Sequence, residues 1–185
     1  PRFWILQGGG HGDLIDWGTR ATVGRGRCAM AMVKRVQEFL DANGVKYEVT
    51  PHHVAYTSQE IAAASHISGK AMAKVVMVKR GDALVMTVLP AACKVGTDRL
   101  EKILGASRIA IAREQEFAGL FPDCDTGAMP PFGNLYGLEV YVDEELANSP
   151  TIVFQAGNHR ELVTMSYTDF ARLVQPKVAE FCSHA

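Results

Sequence analysis

Residues 74–89 read Lys-Val-Val-Met-Val-Lys-Arg-Gly-Asp-Ala-Leu-Val-Met-Thr-Val-Leu, two apolar runs around Arg80-Gly81-Asp82. Valine and threonine branch at Cβ and favour extended backbone, while Gly81 between polar neighbours supplies the turn. The stretch predicts an antiparallel hairpin of strands Lys74–Lys79 and Ala83–Leu89. Working upstream, Met32, Val36, Phe39 and Leu40 recur at helical spacing until Asn43-Gly44 stops the helix. Residues 45–49 alternate as a short strand ended by Pro51. Thr57-Ser58-Gln59-Glu60 has the spacing of a capping box, which starts a helix through Ile61 to Ala64. Downstream, Thr97 or Asp98 caps a helix that Gly105 ends, Ile109–Ile111 is a strand, and Glu114–Leu120 a short helix. A long loop over 122–137 leads to strands Leu138–Val142, Thr151–Gln155 and Glu161–Met165, and Tyr167–Val174 is a last helix. Strands that arrive in hairpins as well as after helices predict an α+β domain with a mixed sheet.

Composition narrows the functional classes. The chain has 185 residues, 48% of them hydrophobic and 21% charged, enough for one ordinary domain with a sizeable core. A formal net charge of -1 argues against a protein that coats DNA or other nucleic acid, which needs many phosphate contacts. It leaves room for a local basic pocket that holds the end of one nucleic-acid strand. No apolar run reaches the ~20 residues of a membrane span. Cys28, Cys93, Cys124 and Cys182 are widely spaced, so they read as reduced thiols of a cytoplasmic protein rather than a disulfide framework.

Residues 1–29 differ from the rest. They hold seven of the 17 glycines and both tryptophans, without helical or strand period. We expect an upstream extension, vector-derived or from a misplaced start, before a domain over 30–178 and a tail over 179–185. Gly24-Arg25-Gly26-Arg27-Cys28-Ala29 fits a dinucleotide fingerprint, but only Ala21-Thr22-Val23 stands in for the strand it requires.

The usual catalytic patterns are missing. No Gly-x-Ser-x-Gly and no His-Glu-x-x-His occurs, and His52 and His53, adjacent on a strand, point to opposite faces and cannot share a metal. No metal ligand set and no cofactor is expected. Cys124 has no histidine nearby in sequence and reads as an inert thiol. Two features stand out. Lys74 shares a strand face with Val76 and Val78, so it either snorkels to water or lines a pocket as a cation for phosphate or developing negative charge. Gly127-Ala128-Met129-Pro130-Pro131-Phe132-Gly133 is stiffened by two prolines without regular hydrogen bonds, which suits a rigid wall exposing the amides of Gly127, Ala128 and Met129.

Taken in order, His53 and Thr57-x-x-Glu60, Ala73-Lys74-Val75-Val76, Leu84–Pro90, Gly127–Gly133, Val140-Tyr141-Val142-Asp143 and Ala156-Gly157 resemble the YbaK/ProX family. Its members are free-standing trans-editing aminoacyl-tRNA deacylases, related to the editing insertion of bacterial prolyl-tRNA synthetases. The resemblance spans about residues 32–175. It implies a curved, barrel-like mixed sheet flanked by helices, and hydrolysis of the ester that joins a wrong amino acid to tRNA, without a metal. A small amino acid such as alanine on tRNA for proline is the expected substrate. Lys74 falls at the family's essential lysine. His53, Thr57, Gly127, Ala128, Met129, Pro130, Pro131, Phe132 and Gly157 fall around its aminoacyl pocket. Lys70, Arg80, Lys94, Arg99 and Lys102 are weak candidates for touching tRNA, with an aminoacyl-tRNA synthetase as a further partner. Where relatives often carry an acidic residue after the second hairpin strand, this chain has Cys93-Lys94-Val95-Gly96-Thr97 and Asp98 slightly later. The competing reading is a non-catalytic module of the same fold that binds an aminoacyl group, tRNA or a synthetase.

Overall fold

The computed structural model describes residues 32–51 and 70–184. The Gly24–Ala29 motif, the capping box at Thr57, and His53 lie outside them. Five helices occur among the described residues: α1 (Lys34–Ala42), α2 (Thr97–Leu104), α3 (Glu114–Phe117), α4 (Glu144–Ala147) and α5 (Tyr167–Val174). The strands are β1 (Tyr47–Pro51), β2 (Ala73–Arg80), β3 (Ala83–Pro90), β4 (Lys94–Val95), β5 (Ile109–Ile111), β6 (Glu139–Asp143), β7 (Thr151–Gln155), β8 (Glu161–Ser166), β9 (Lys177–Ala179) and β10 (Cys182–Ser183).

The predicted hairpin forms, with Lys74 opposite Leu89 and Arg80 opposite Ala83. It is the middle of a five-stranded sheet ordered β5-β2-β3-β6-β9. That sheet is mixed, because β3, β6 and β9 run parallel while β2 pairs antiparallel with β3 and β5. A second sheet, β1-β8-β7, joins the first through a parallel bridge from Met72 to Val153. The result is the expected α+β architecture, curved but not closed into a barrel.

The five-stranded sheet has two unlike faces. Met77, Met86, Val88, Val140 and Val142 point into a main core shared with Ile152, Phe154 and Val163 of the second sheet, with α1 and with α5. Val78, Val85 and Leu89 point the other way, into a smaller core with Leu100 and Leu104 of α2 and Phe181 near the chain end. Helix α2 packs there because its apolar side chains recur at i and i+4.

Three expectations need correction. The first strand runs through Pro51 instead of ending before it; β1 is an edge strand, where a missing amide donor leaves no ladder bond unmade. Residues 179–184 of the expected tail do not trail off. Cys182 and Ser183 pair with Val95 and Lys94, and the carboxylate of buried Asp143 accepts from the amides of Phe181 (2.8 Å) and Cys182 (2.6 Å). That anchoring brings Cys182 to Cys93, 89 residues earlier, and the two form a disulfide. The expectation of reduced, separate thiols therefore fails for this pair, since sequence spacing is blind to a tail folded back on its own domain.

Candidate functional site

The Gly127–Gly133 loop is built into the main core. Phe132 is fully buried and meets the rings of Phe39, Phe154 and Phe170 edge-on at centroid distances of 5.5–6.1 Å. Burying such a ring contributes about 2–3 kcal/mol, so the loop is pinned at this residue. Phe132 is thus the anchor of the wall. Ala128, Met129, Pro130 and Pro131 are buried as well, and Gly127 is exposed.

A second turn holds the loop from the other side. The amide of Gly157 donates to the carbonyl of Ala128 (2.9 Å), and the carbonyl of Gly157 accepts from Asp125 (2.8 Å). Gly157 has φ +97°, and a Cβ there would lie 1.9 Å from Val33 Cγ2. Only glycine fits both the dihedral and the space. The loop itself differs from expectation at one amide: Ala128 N–H is already spent on the Asp125 carbonyl (3.0 Å), so of the three expected donors Gly127 and Met129 remain as candidates.

His159 completes the turn and was not anticipated from the sequence. Its Nε2 lies 2.9 Å from the Thr126 carbonyl and its Nδ1 3.2 Å from Gln155 Nε2. A carbonyl only accepts, so Nε2 carries the proton and Nδ1 accepts from the Gln155 amide. Its ring thereby ties β7 to the residue before Gly127. The available signal was its position two residues after Gly157, in the tight turn Gly157-Asn158-His159-Arg160. Asn158 stiffens that turn by accepting from the amides of Arg160 and Glu161 (both 2.9 Å).

Beside the loop lies a cavity of about 40 Å³ bordered by Phe117, Phe121, Cys124, Asp125, Thr126 and Met129. The Cys124 thiol is pushed up by burial, reinforced by the nearby carboxylates of Asp123 and Asp125. A thiol held in its protonated form is a poor nucleophile, in accord with the inert reading.

Lys74 sits at the head of β2, on the face of Val76 and Val78 as the alternation requires. It is half-buried, and its ammonium donates to the carbonyls of Ala91 (3.3 Å) and Cys93. Burial lowers its pKa, and the neighbouring Lys94 lowers it further. Neither hydrogen bond of the Lys74 ammonium goes to Gly127–Phe132 or Gly157. The loop belongs to the main core, whereas Lys74 opens from the smaller one. Thr57 and His53 lie outside the described residues.

The basic candidates divide. Lys70 pairs with Glu145 (3.5 Å), Arg80 with Glu139 (3.4 Å) and Arg99 with Glu180 (2.6 Å). Lys94 and Lys102 are exposed. Lys70 and Arg99 border one open depression of about 580 Å³ together with Asp143 and His184, whereas Arg80 lies at the far end of β2 from Lys74.

Residues 52–173 match the model of the aminoacyl-tRNA editing domain. The chain belongs to that family. Among solved structures it is similar to hypothetical protein APE2540, at 19% identity over 81% of this chain and 100% of that one, with a TM-score of 0.73. A candidate trans-editing enzyme for prolyl-tRNA synthetase matches at 21% identity over 82% of this chain and 96% of the other, with a TM-score of 0.70. These identities establish a shared fold. No curated protein matches the chain by sequence. No helix among the described residues is long and apolar enough to cross a membrane.

Proposed function

We propose that this editing domain is a deacylase that hydrolyses the ester of mischarged tRNA, with a small amino acid such as alanine on tRNA for proline as substrate. The observation that carries the reading is the clamped pair of turns: Gly127–Phe132 locked to Gly157 through Ala128, inside a chain of the editing family. A stiff wall whose Gly127 and Met129 amides are candidate donors suits an activated ester, whose hydrolysis needs a placed water and donors for the developing oxyanion more than a strong nucleophile. The small cavity beside Met129 supports a small side chain.

Lys74 is the cation in this scheme. A half-desolvated ammonium attracts anionic charge more strongly than one in open water, so Lys74 suits a phosphate of the tRNA end, apart from the oxyanion donors of the loop. The partners are tRNA and, in keeping with the similar trans-editing fold, an aminoacyl-tRNA synthetase. A cytoplasmic location follows from that role.

One observation favours the other reading, a non-catalytic module: the Lys74 ammonium already has two carbonyl partners and none on the loop. Deacylation of tRNAs charged with Ala, Cys, Ser, Thr and Pro, by wild type and Lys74→Ala, separates the two. Selective hydrolysis lost in the variant supports the deacylase. No hydrolysis of any substrate, with tRNA or synthetase still bound, supports the module.

A further inference from the structure

On the smaller-core side of the sheet, four side chains from three separate stretches of the chain converge. The sulfurs of Cys93 and Cys182, a carboxylate oxygen of Glu145 and a ring nitrogen of His184 all lie within 4.8 Å of one another. We propose that, once the Cys93–Cys182 disulfide is reduced, these four groups bind a zinc ion through two thiolates, one imidazole and one carboxylate.

The spacing argues for it. Zn–S bonds of about 2.3 Å and Zn–N or Zn–O bonds of about 2.0–2.1 Å in a tetrahedron put neighbouring ligand atoms roughly 3.3–3.8 Å apart. Glu145 Oε2 lies 3.5 Å from Cys93 Sγ, 3.7 Å from Cys182 Sγ and 3.1 Å from His184 Nε2, and Cys182 Sγ lies 3.7 Å from His184 Nε2; only the two sulfurs, bonded to each other, are closer than a shared zinc allows. A disulfide has no use for this company. Neither of its sulfurs carries a hydrogen, so the Glu145 carboxylate there faces sulfur lone pairs with no proton between them. A cation among these four donors gives the same geometry a purpose.

The surroundings fit as well. The other Glu145 oxygen is held by Lys70 at 3.5 Å, an outer contact that orients the ligand oxygen. Glu145, Cys182 and His184 border the open depression, which provides an entry path, while both cysteines are buried. The backbone is fixed independently of the sulfurs, because Asp143 holds the Phe181 and Cys182 amides and β10 pairs with β4. Opening the disulfide therefore keeps both residues on their backbone positions, and the two sulfurs need only swing apart about their side-chain torsions to reach the separation that one zinc requires. The chemistry balances: a dithiol reductant gives two electrons and two protons to the disulfide and becomes a cyclic disulfide, and the two thiol protons leave when the metal binds.

The test uses the full chain, reduced with a dithiol, freed of reductant without oxygen and titrated with Co²⁺. The expected result is one cobalt per chain with a sulfur-to-cobalt charge-transfer band, displaced by Zn²⁺. The band should vanish in Cys93→Ser and Cys182→Ser, weaken in His184→Ala and survive in Cys124→Ser. A companion measurement needs no variant: Zn²⁺ should protect two thiols of the reduced wild type from a thiol reagent. A disulfide that resists the dithiol in the folded chain would overturn the proposal. So would a missing band, a band that persists without Cys93 and Cys182, or two thiols left unprotected.

Discussion

The two faces of the five-stranded sheet carry different kinds of order. On the main-core face, a loop with little regular structure is fixed by apolar packing, with Phe132 among three other rings and Gly157 wedged against Val33. On the opposite face, Lys74, Asp143, Cys93 and Cys182 are fixed by polar and covalent bonds around the returning chain end. One face makes a wall, and the other holds charge. The strongest way to break this division of labour is Lys74→Ala. If the amine acts on charge in the reaction, deacylation falls about 10²–10³-fold, the cost of losing one preorganised stabilising group. The circular dichroism spectrum and thermal midpoint should change little. Retained turnover would move catalysis entirely to the loop face.

Gly157→Ala attacks the wall instead. The left-handed dihedral and the Val33 clash each cost about 1–3 kcal/mol, so we expect a loss of about 4 kcal/mol in urea unfolding. A drop below about 1 kcal/mol, less than either cost alone, would show that the turn shifts freely and does not hold the loop. On the other face, Asp143→Ala strips the acceptor from the amides of Phe181, Cys182 and Glu145. Leaving buried donors unmatched predicts a loss of about 3 kcal/mol. Amide hydrogen exchange should then quicken at Phe181 and Cys182 while residues 127–133 stay protected. Equal quickening at both places would mean that the two faces are one cooperative unit.

The two faces also differed in how far the sequence exposed them. The hairpin, α2, α5 and strands β7 and β8 followed from local period and turn chemistry, which act over a few residues. So did the face on which Lys74 lies. What stayed hidden depends on long-range closure. Two-residue strands such as β4 and β10 have no period to read, and their pairing spans the distance from Lys94 to Ser183. The disulfide depends on that closure, and so does the cluster around Glu145. Phe132 was legible as a loop residue, but its burial follows from rings on α1, β7 and α5 that only the fold assembles. His159 was missed because its one signal, a place two residues after Gly157, does not by itself reveal the bond across to Thr126.

The smallest effect concerns the proton on Lys74. Burial disfavours its charged form, and the Lys94 ammonium adds to that by repulsion. The native amine therefore loses its proton below the ordinary lysine value of 10.5, the value expected in the unfolded chain. Between the two values the unfolded chain binds more protons, so this group's contribution to stability rises with pH through that window. Lys94→Gln removes the repulsion and leaves the burial. The native value should move up towards 10.5 without reaching it, which NMR of the lysine Cε resonance can follow. An unchanged titration would mean that solvent already screens Lys94, an exposed side chain. A full return to 10.5 would mean that burial contributes nothing, and that Lys74 samples open water rather than the two carbonyls. The charge-holding face would then lose its central residue.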